Sequence, residues 1–152
     1  MNTDPTLARR KRTPGPPTFW QLAHSLDAMS EGQRLTSIRS GFAVVWAEAA
    51  KSAFNMPSSH MAPLLNLSLS TFERRRKDAK PLDAIASERL DRLATIAILA
   101  EDIFEDKEAA ARWMSTPNEA LGGNTPVMQC KTEIGARQVR RILNAVEWGG
   151  VV

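Results

Sequence analysis

Four consecutive cations, Arg74, Arg75, Arg76 and Lys77, follow three hydroxyl side chains at Ser68, Ser70 and Thr71. Guanidinium and ammonium groups neutralise phosphates, and hydroxyls donate to phosphate or base edges. The chemistry of this cluster is therefore recognition of a polyanion, with all seven side chains as candidate DNA contacts. Bond-making chemistry has little to build on. The two histidines, His24 and His60, lie in separate segments without metal-ligand spacing. No nucleophile–base pair or carboxylate pair stands at informative spacing. The single cysteine, Cys130, excludes an intrachain disulfide and a thiolate metal cluster. No enzyme activity, metal or cofactor is expected.

The element that must position this cluster is the stretch 58–80, SSHMAPLLNLSLSTFERRRKDAK. Met61, Leu64 and Leu65 repeat at helical spacing. Asn66 stands where the chain leaves that helix, and Asn tolerates the left-handed conformation that ends helices. Leu67 is expected as a buried plug. Ser68 or Ser70 caps the next helix, with Ser70 and Glu73 spaced as a capping box. Phe72 is expected inward, and Thr71, Arg74, Arg75, Arg76 and Lys77 outward. Ala62 suits a close helix crossing. The pattern is a helix-turn-helix, whose second helix enters the major groove. Arg75 departs from it, near a position often apolar in such motifs. The competing reading is a solvated basic helix end, since cations favour a helix C-terminus.

The charge is uneven along the 152 residues. Residues 1–82 hold 12 Lys+Arg and 6 Asp+Glu, net +6, whereas residues 83–152 hold 8 and 11, net −3. A basic half and an acidic half suggest different partners. Residues 1–17, with Arg9 to Arg12 and Pro14, Pro16 and Pro17, read as a disordered basic arm rather than a secretory signal. No apolar run is long enough to span a membrane, and the lone cysteine suits a reducing cytoplasm.

All other segments read as helices, so the fold class is all-α. Phe19, Leu22, Ala23 and Leu26 mark a first short helix, and Ser30 with Gln33 a capping box. Leu35, Ile38, Phe42, Val45 or Trp46, Ala49 and Ala53 predict one amphipathic helix, with Gly41 inside it marking a close helix crossing. After Pro81, Asp83 or Ser87 caps a helix to about Phe104, facing Ile85, Leu90, Leu93, Ala94, Ala97, Ala100, Ile103 and Phe104 inward. A short helix covers 107–114. Trp113, Leu121, Gly122 and Gly123 read as the frame of a turn, Thr125–Pro126 as a helix start. A last helix from Thr132 buries Ile134, Val139, Ile142, Leu143 and Val146. It ends at Gly149 and Gly150, with Trp148 either in the core or at an interface.

Three blocks carry a resemblance: SERLDRL from Ser87, IFEDKEAAARWM from Ile103 and PNEALGGNTP from Pro117. With Thr132, Gly135, Val139, Leu143, Glu147 and Gly149, they make the chain similar to the Xre/MbcA/ParS antitoxins from about residue 58 to the end. Asn66 replaces a glycine common in that family. The resemblance implies a bacterial type II toxin–antitoxin system whose partner is a RES-domain toxin that consumes NAD. Residues 18–82 would form the helix-turn-helix DNA-binding and dimerisation module, repressing the operon as a homodimer on an inverted-repeat operator. Residues 83–152 would form a small helical toxin-binding module. Its contact residues are expected at Arg137, Arg140, Arg141, Asn144, Glu147, Trp148, Gly149, Gly150, Val151 and Val152, with Trp148 to Val152 near the mouth of the toxin's NAD pocket. The alternative is a helix-turn-helix transcription regulator whose C-terminal half only dimerises or senses a ligand. A neighbouring RES toxin gene would separate the two.

Overall fold

A computed structural model describes residues 15–149. Most of the expected basic arm, and Gly150, Val151 and Val152, lie outside the described residues. Within them the chain is helical throughout: α1 Phe19–Asp27, α2 Glu31–Ser40, α3 Val45–Ala53, α4 Ser58–Leu64, α5 Leu69–Asp78, α6 Ala84–Phe104, α7 Lys107–Ser115, a 3-10 turn Glu119–Leu121, α8 Pro126–Gln129 and α9 Glu133–Glu147.

Local sequence sets most of these boundaries. Thr18 and Gln21 close a capping box at the start of α1, and Ser30 and Gln33 close another before α2. Asp83 caps α6 by accepting the Ala86 N–H at 2.8 Å. Thr125 caps α8, with Pro126 as its first residue, and Thr132 caps α9. Each such cap satisfies an orphan amide and contributes about 1 kcal/mol.

The helix expected from Leu35 to Ala53 is instead two, α2 and α3, broken at residues 41–44. Gly41 is the C-cap of α2, with φ of 90°, a conformation other residues adopt only under strain. A Cβ there would sit 2.2 Å from the carbonyl oxygen of Leu82. The close approach anticipated at Gly41 is thus real, but it is to the 81–83 strap at a corner between helices. The strap is stitched in place: Leu82 N–H donates to the Phe42 carbonyl at 2.8 Å, and Phe42 N–H donates to Ser87 Oγ at 2.8 Å. Ser87 is fully buried and serves this bond, so the cap of α6 falls to Asp83.

The core is one continuous cluster from Phe19 to Leu143. Its axis is α6, which buries Ala86, Ser87, Leu90, Leu93, Ala94, Ile96, Ala97 and Ala100. Helices α1 and α2 pack on one side of α6, and α7 and α9 on the other elements of its surface. Phe19 and Phe54 meet edge to face at 5.1 Å, with Trp20 beside them. Three residues expected inward are exposed: Leu35 at 47%, Ile85 at 57% and Ile134 at 67%. For Ile85 and Ile134 the cause is phase. Stepping back by helical spacing from Leu90 and Leu93 reaches Ala86, and from Val139 reaches Gly135 and Ala136, so each isoleucine stands one residue off its core stripe. Leu35 stands off the side of α2 that packs, which carries Arg34, Ser37 and Ile38, with Arg34 bound to Asp91 and Thr95 of α6.

Candidate functional site

Helices α4 and α5 meet as the helix-turn-helix spacing predicts. Met61, Ala62, Leu64, Leu65 and Phe72 are fully buried. Asn66 has φ of 59°, the left-handed value that turns the chain. Leu67 is partly buried against the core, and its N–H reaches the Ala62 carbonyl at 2.8 Å. Ser68 caps α5: its Oγ accepts the Thr71 N–H at 3.1 Å and donates to Thr71 Oγ1 at 2.8 Å. Ser70 lies 3.3 Å from Ser68. The spacing of Ser70 and Glu73 therefore does not form a capping box, because the helix begins two residues earlier.

The seven candidate DNA residues divide by face. Each residue turns a helix by about 100°. Taking Phe72 as the inward direction, Ser70, Arg74 and Lys77 fall within roughly 40° of the opposite, outward direction, and Thr71 lies on one flank. Arg74 and Lys77 are exposed and form no ion pair among the described residues. Arg75 and Arg76 lie within roughly 60° of Phe72; Arg75 is half-buried, whereas Arg76 stays exposed at the end of the helix. Arg76 pairs with Glu73 at 3.4 Å and with Glu48 of α3 at 3.8 Å. The Arg75 Nη1 donates to the Pro81 carbonyl at 2.7 Å, and its Nε is buried without a partner. Arg75 is thus turned inward, not outward, because position 75 flanks the buried stripe. Lys51 holds its ammonium 5.9 Å from the Phe72 ring centre.

The other candidate surface is α9. Gly135 lets it approach α8 closely, since a Cβ there would lie 1.9 Å from the Gln129 carbonyl oxygen. With Val139 and Leu143 inward, Arg137, Arg141, Asn144 and Trp148 share the outer side, within roughly 60° of its centre, while Arg140 and Glu147 stand on one flank, Arg140 half-buried. Trp148 is 87% exposed, which removes it from the core, and Gly149 turns the chain with φ of 83°. Ile134 and Ala145 extend the same side. Ala145 and Ile142 also line a groove of about 530 Å³, closed opposite by Trp113, Pro117, Asn118 and Ala120. Trp113 packs on Phe104 at 5.8 Å while keeping one edge in the groove. Gly122 and Gly123 hold left-handed backbone in the turn that presents its wall, and Leu121 is buried beneath.

Arg92 escaped the sequence reading. Its guanidinium donates to Glu88 at 3.1 Å, to the carbonyls of Cys130 and Lys131 at 3.2 and 3.3 Å, and approaches Glu133 at 3.3 Å. It pins the start of α9 onto α6. The spacing of Glu88 and Arg92, four residues apart on one helix, was its only visible signal. Among the described residues no cluster of His, Cys, Asp or Glu can hold a metal ion, and no helix is long and apolar enough to cross a membrane.

Two family models match adjoining parts of the chain. Residues 33–94 match the antitoxin Xre-like helix-turn-helix domain, and residues 99–149 match the antitoxin Xre/MbcA/ParS C-terminal toxin-binding domain. The chain is 31% identical to Antitoxin Xre of Pseudomonas putida over 114 residues, which is 75% of this chain and 70% of the relative. It is 30% identical to Antitoxin Xre of Yersinia enterocolitica over 114 residues, 74% and 77% of the two chains. A protein of Sphingobium named Prs ADP-ribosylating antitoxin is 28% identical over 153 residues, 95% of each chain.

Proposed function

This chain belongs to the Xre/MbcA/ParS antitoxin family, and from that premise we propose that it is the antitoxin of a type II pair. It neutralises an NAD-degrading RES-domain toxin by direct contact and represses its own operon in the cytoplasm. The module at 18–82 reads an inverted-repeat operator as a homodimer, and the module at 83–152 holds the toxin. It acts by binding, not by catalysis. The observation that carries this reading is the pair of exposed faces on opposite modules: Ser70, Arg74 and Lys77 on α5, and Arg137, Arg141 and Trp148 on α9. The first matches a phosphate-rich groove. The second joins a fully exposed aromatic to cations, the residue types that anchor protein interfaces. The Sphingobium relative, Prs ADP-ribosylating antitoxin, carries ADP-ribosylation in its name, and ADP-ribosyl transfer draws its group from NAD, which agrees with NAD chemistry in the system proposed here.

The test is co-expression with the RES-domain toxin gene that we expect beside this one. The toxin alone should deplete cellular NAD and arrest growth; the pair should co-purify and restore both. Deleting Gly150, Val151 and Val152 should leave DNA binding intact and partly restore NAD loss at limiting antitoxin, if the tail covers the toxin's NAD entrance. A toxin that co-purifies poorly, or stays active at excess antitoxin, would refute the reading. On DNA, a footprint should show half-site centres about 10 base pairs apart, or a further whole turn.

A further inference from the structure

Within the basic run of α5, one cation does a different task from its neighbours. Arg75 stands on the flank of the helix that carries Phe72, its Nη1 bound to the Pro81 carbonyl at 2.7 Å and its Nε shut off from solvent. Held this way, the half-buried guanidinium spends an Nη1 donor on the protein and keeps its Nε edge closed, so it cannot offer a phosphate the two-pronged Nε–Nη edge. The carbonyl it grips belongs to the strap that follows α5. That strap is fixed in turn: Leu82 pairs with Phe42, the Leu82 carbonyl leaves no room for a Cβ at Gly41, and Phe42 is bonded to the buried Ser87 of α6. The end of α5 is therefore tied through Arg75 to the corner between α2 and α3 and to the first turn of α6. The C-cap of α5 reinforces the same turn, with Ala79 at φ of 52° and Lys80 N–H on the Arg75 carbonyl at 3.0 Å.

We propose that Arg75 is a positioning residue for DNA reading, setting the angle at which α5 presents Ser70, Arg74 and Lys77, and that it makes no phosphate contact itself. This rests on the DNA-reading role proposed above. Phosphate contacts and positioning leave different signatures. Loss of a phosphate contact weakens all sequences about equally and lowers the salt slope by about one unit. Loss of positioning leaves Arg74 and Lys77 on the helix, where long flexible side chains still reach phosphates after a small tilt; base-edge contacts need closer alignment, so the loss falls mainly on the specific site and the slope changes little.

The test measures binding by the full chain to two duplexes over a salt series: the duplex that the wild type selects from a random pool, and an unrelated duplex. Arg75→Met removes charge and fork but fits an apolar flank. It should bind the selected duplex about tenfold more weakly, keep its affinity for the unrelated one, and keep the wild-type slope. Arg74→Ala is the control and should weaken both and lower the slope by about one unit. Arg75→Lys covers the case in which the Met variant does not fold. Lys keeps the charge but is one bond shorter, so selective loss for the selected duplex supports positioning, and wild-type affinity overturns it. A reduced slope in Arg75→Met, with equal losses on both duplexes, also overturns it while leaving the DNA-reading role intact. A wild type that selects no duplex overturns that role and this inference together.

Discussion

Cys130 shows how far a single residue departs from what its type suggests. In the sequence it is a lone thiol, which excludes an intrachain disulfide and says nothing of its surroundings. In the fold it is fully buried beneath the start of α9. Burial pushes its pKa up from 9.0 to about 12, against smaller opposing pulls from Arg92 and Arg140. The folded thiol therefore stays protonated where an unfolded one ionises. The unfolded chain loses its proton first, so Cys130's contribution to stability is complete below pH 9.0 and declines as pH rises toward 12. We expect a thiol reagent at pH 8 to label the native chain only through unfolding, at a rate that rises with denaturant. The stability difference between wild type and Cys130→Ala should shrink between pH 9 and pH 11; a constant difference would show that the thiol ionises as freely folded as unfolded. Residue identity was legible at other sites and orientation was not. Phe72, Asn66 and Leu64 could be placed from spacing alone, because apolar periodicity and a left-handed tolerance are properties of the residue. Arg75 was read as outward because it is charged, although its position beside Phe72 already put it on the packed side; Arg76, read outward as well, is exposed.

At the scale of the element, caps proved easier to read than lengths. The capping side chains act over three residues, so Ser30, Thr125 and Thr132 announce helix starts without reference to the rest of the fold. The break at residues 41–44 depends on a strap forty residues away, and no local signal for it exists beyond Gly41 itself. The start of α5 offers a direct check. Ser68 Oγ holds the Thr71 N–H at 3.1 Å, whereas Ser70 is bonded only to Ser68. Ser68→Ala should cost about 1 kcal/mol, roughly 2–4 °C in Tm for a chain of this size. Ser70→Ala should leave Tm unchanged while weakening DNA binding, since its hydroxyl lies on the outer face with Arg74 and Lys77. Equal losses of Tm in thermal melts of the two variants would mean that the cap is shared and the helix start is misassigned.

The molecule as a whole has two candidate binding faces and one core. A break at residue 82 is natural from sequence, where Pro81 interrupts the pattern and the charge changes sign. The two matched family stretches instead meet inside α6, and the packing explains how a helix serves both. Arg34 of α2 forms a two-pronged ion pair with Asp91 at 2.8 and 3.1 Å and reaches Thr95. His24 of α1 meets Glu101 at 2.9 Å, near the far end of α6. On its other side, α6 carries α7 and α9, locked by Arg92. Helix α1 lies outside both matched stretches, yet Phe19, Trp20, Leu22 and Leu26 are buried by it, each worth roughly 1.5–3 kcal/mol. Burial shared in this way leaves no point at which one module can unfold and keep the other whole. Unfolding should therefore be a single transition. Single-tryptophan variants retaining Trp46, beside the corner of α3, or Trp113, on Phe104, report the two modules separately. Their denaturant midpoints should coincide, and both should fall together when Leu90→Ala opens a cavity in α6, by roughly 2–5 kcal/mol of stability. Midpoints that separate, with Trp113 surviving the loss of Trp46 structure, would establish two independent domains and remove the rigid connection between the proposed DNA face and the proposed toxin face.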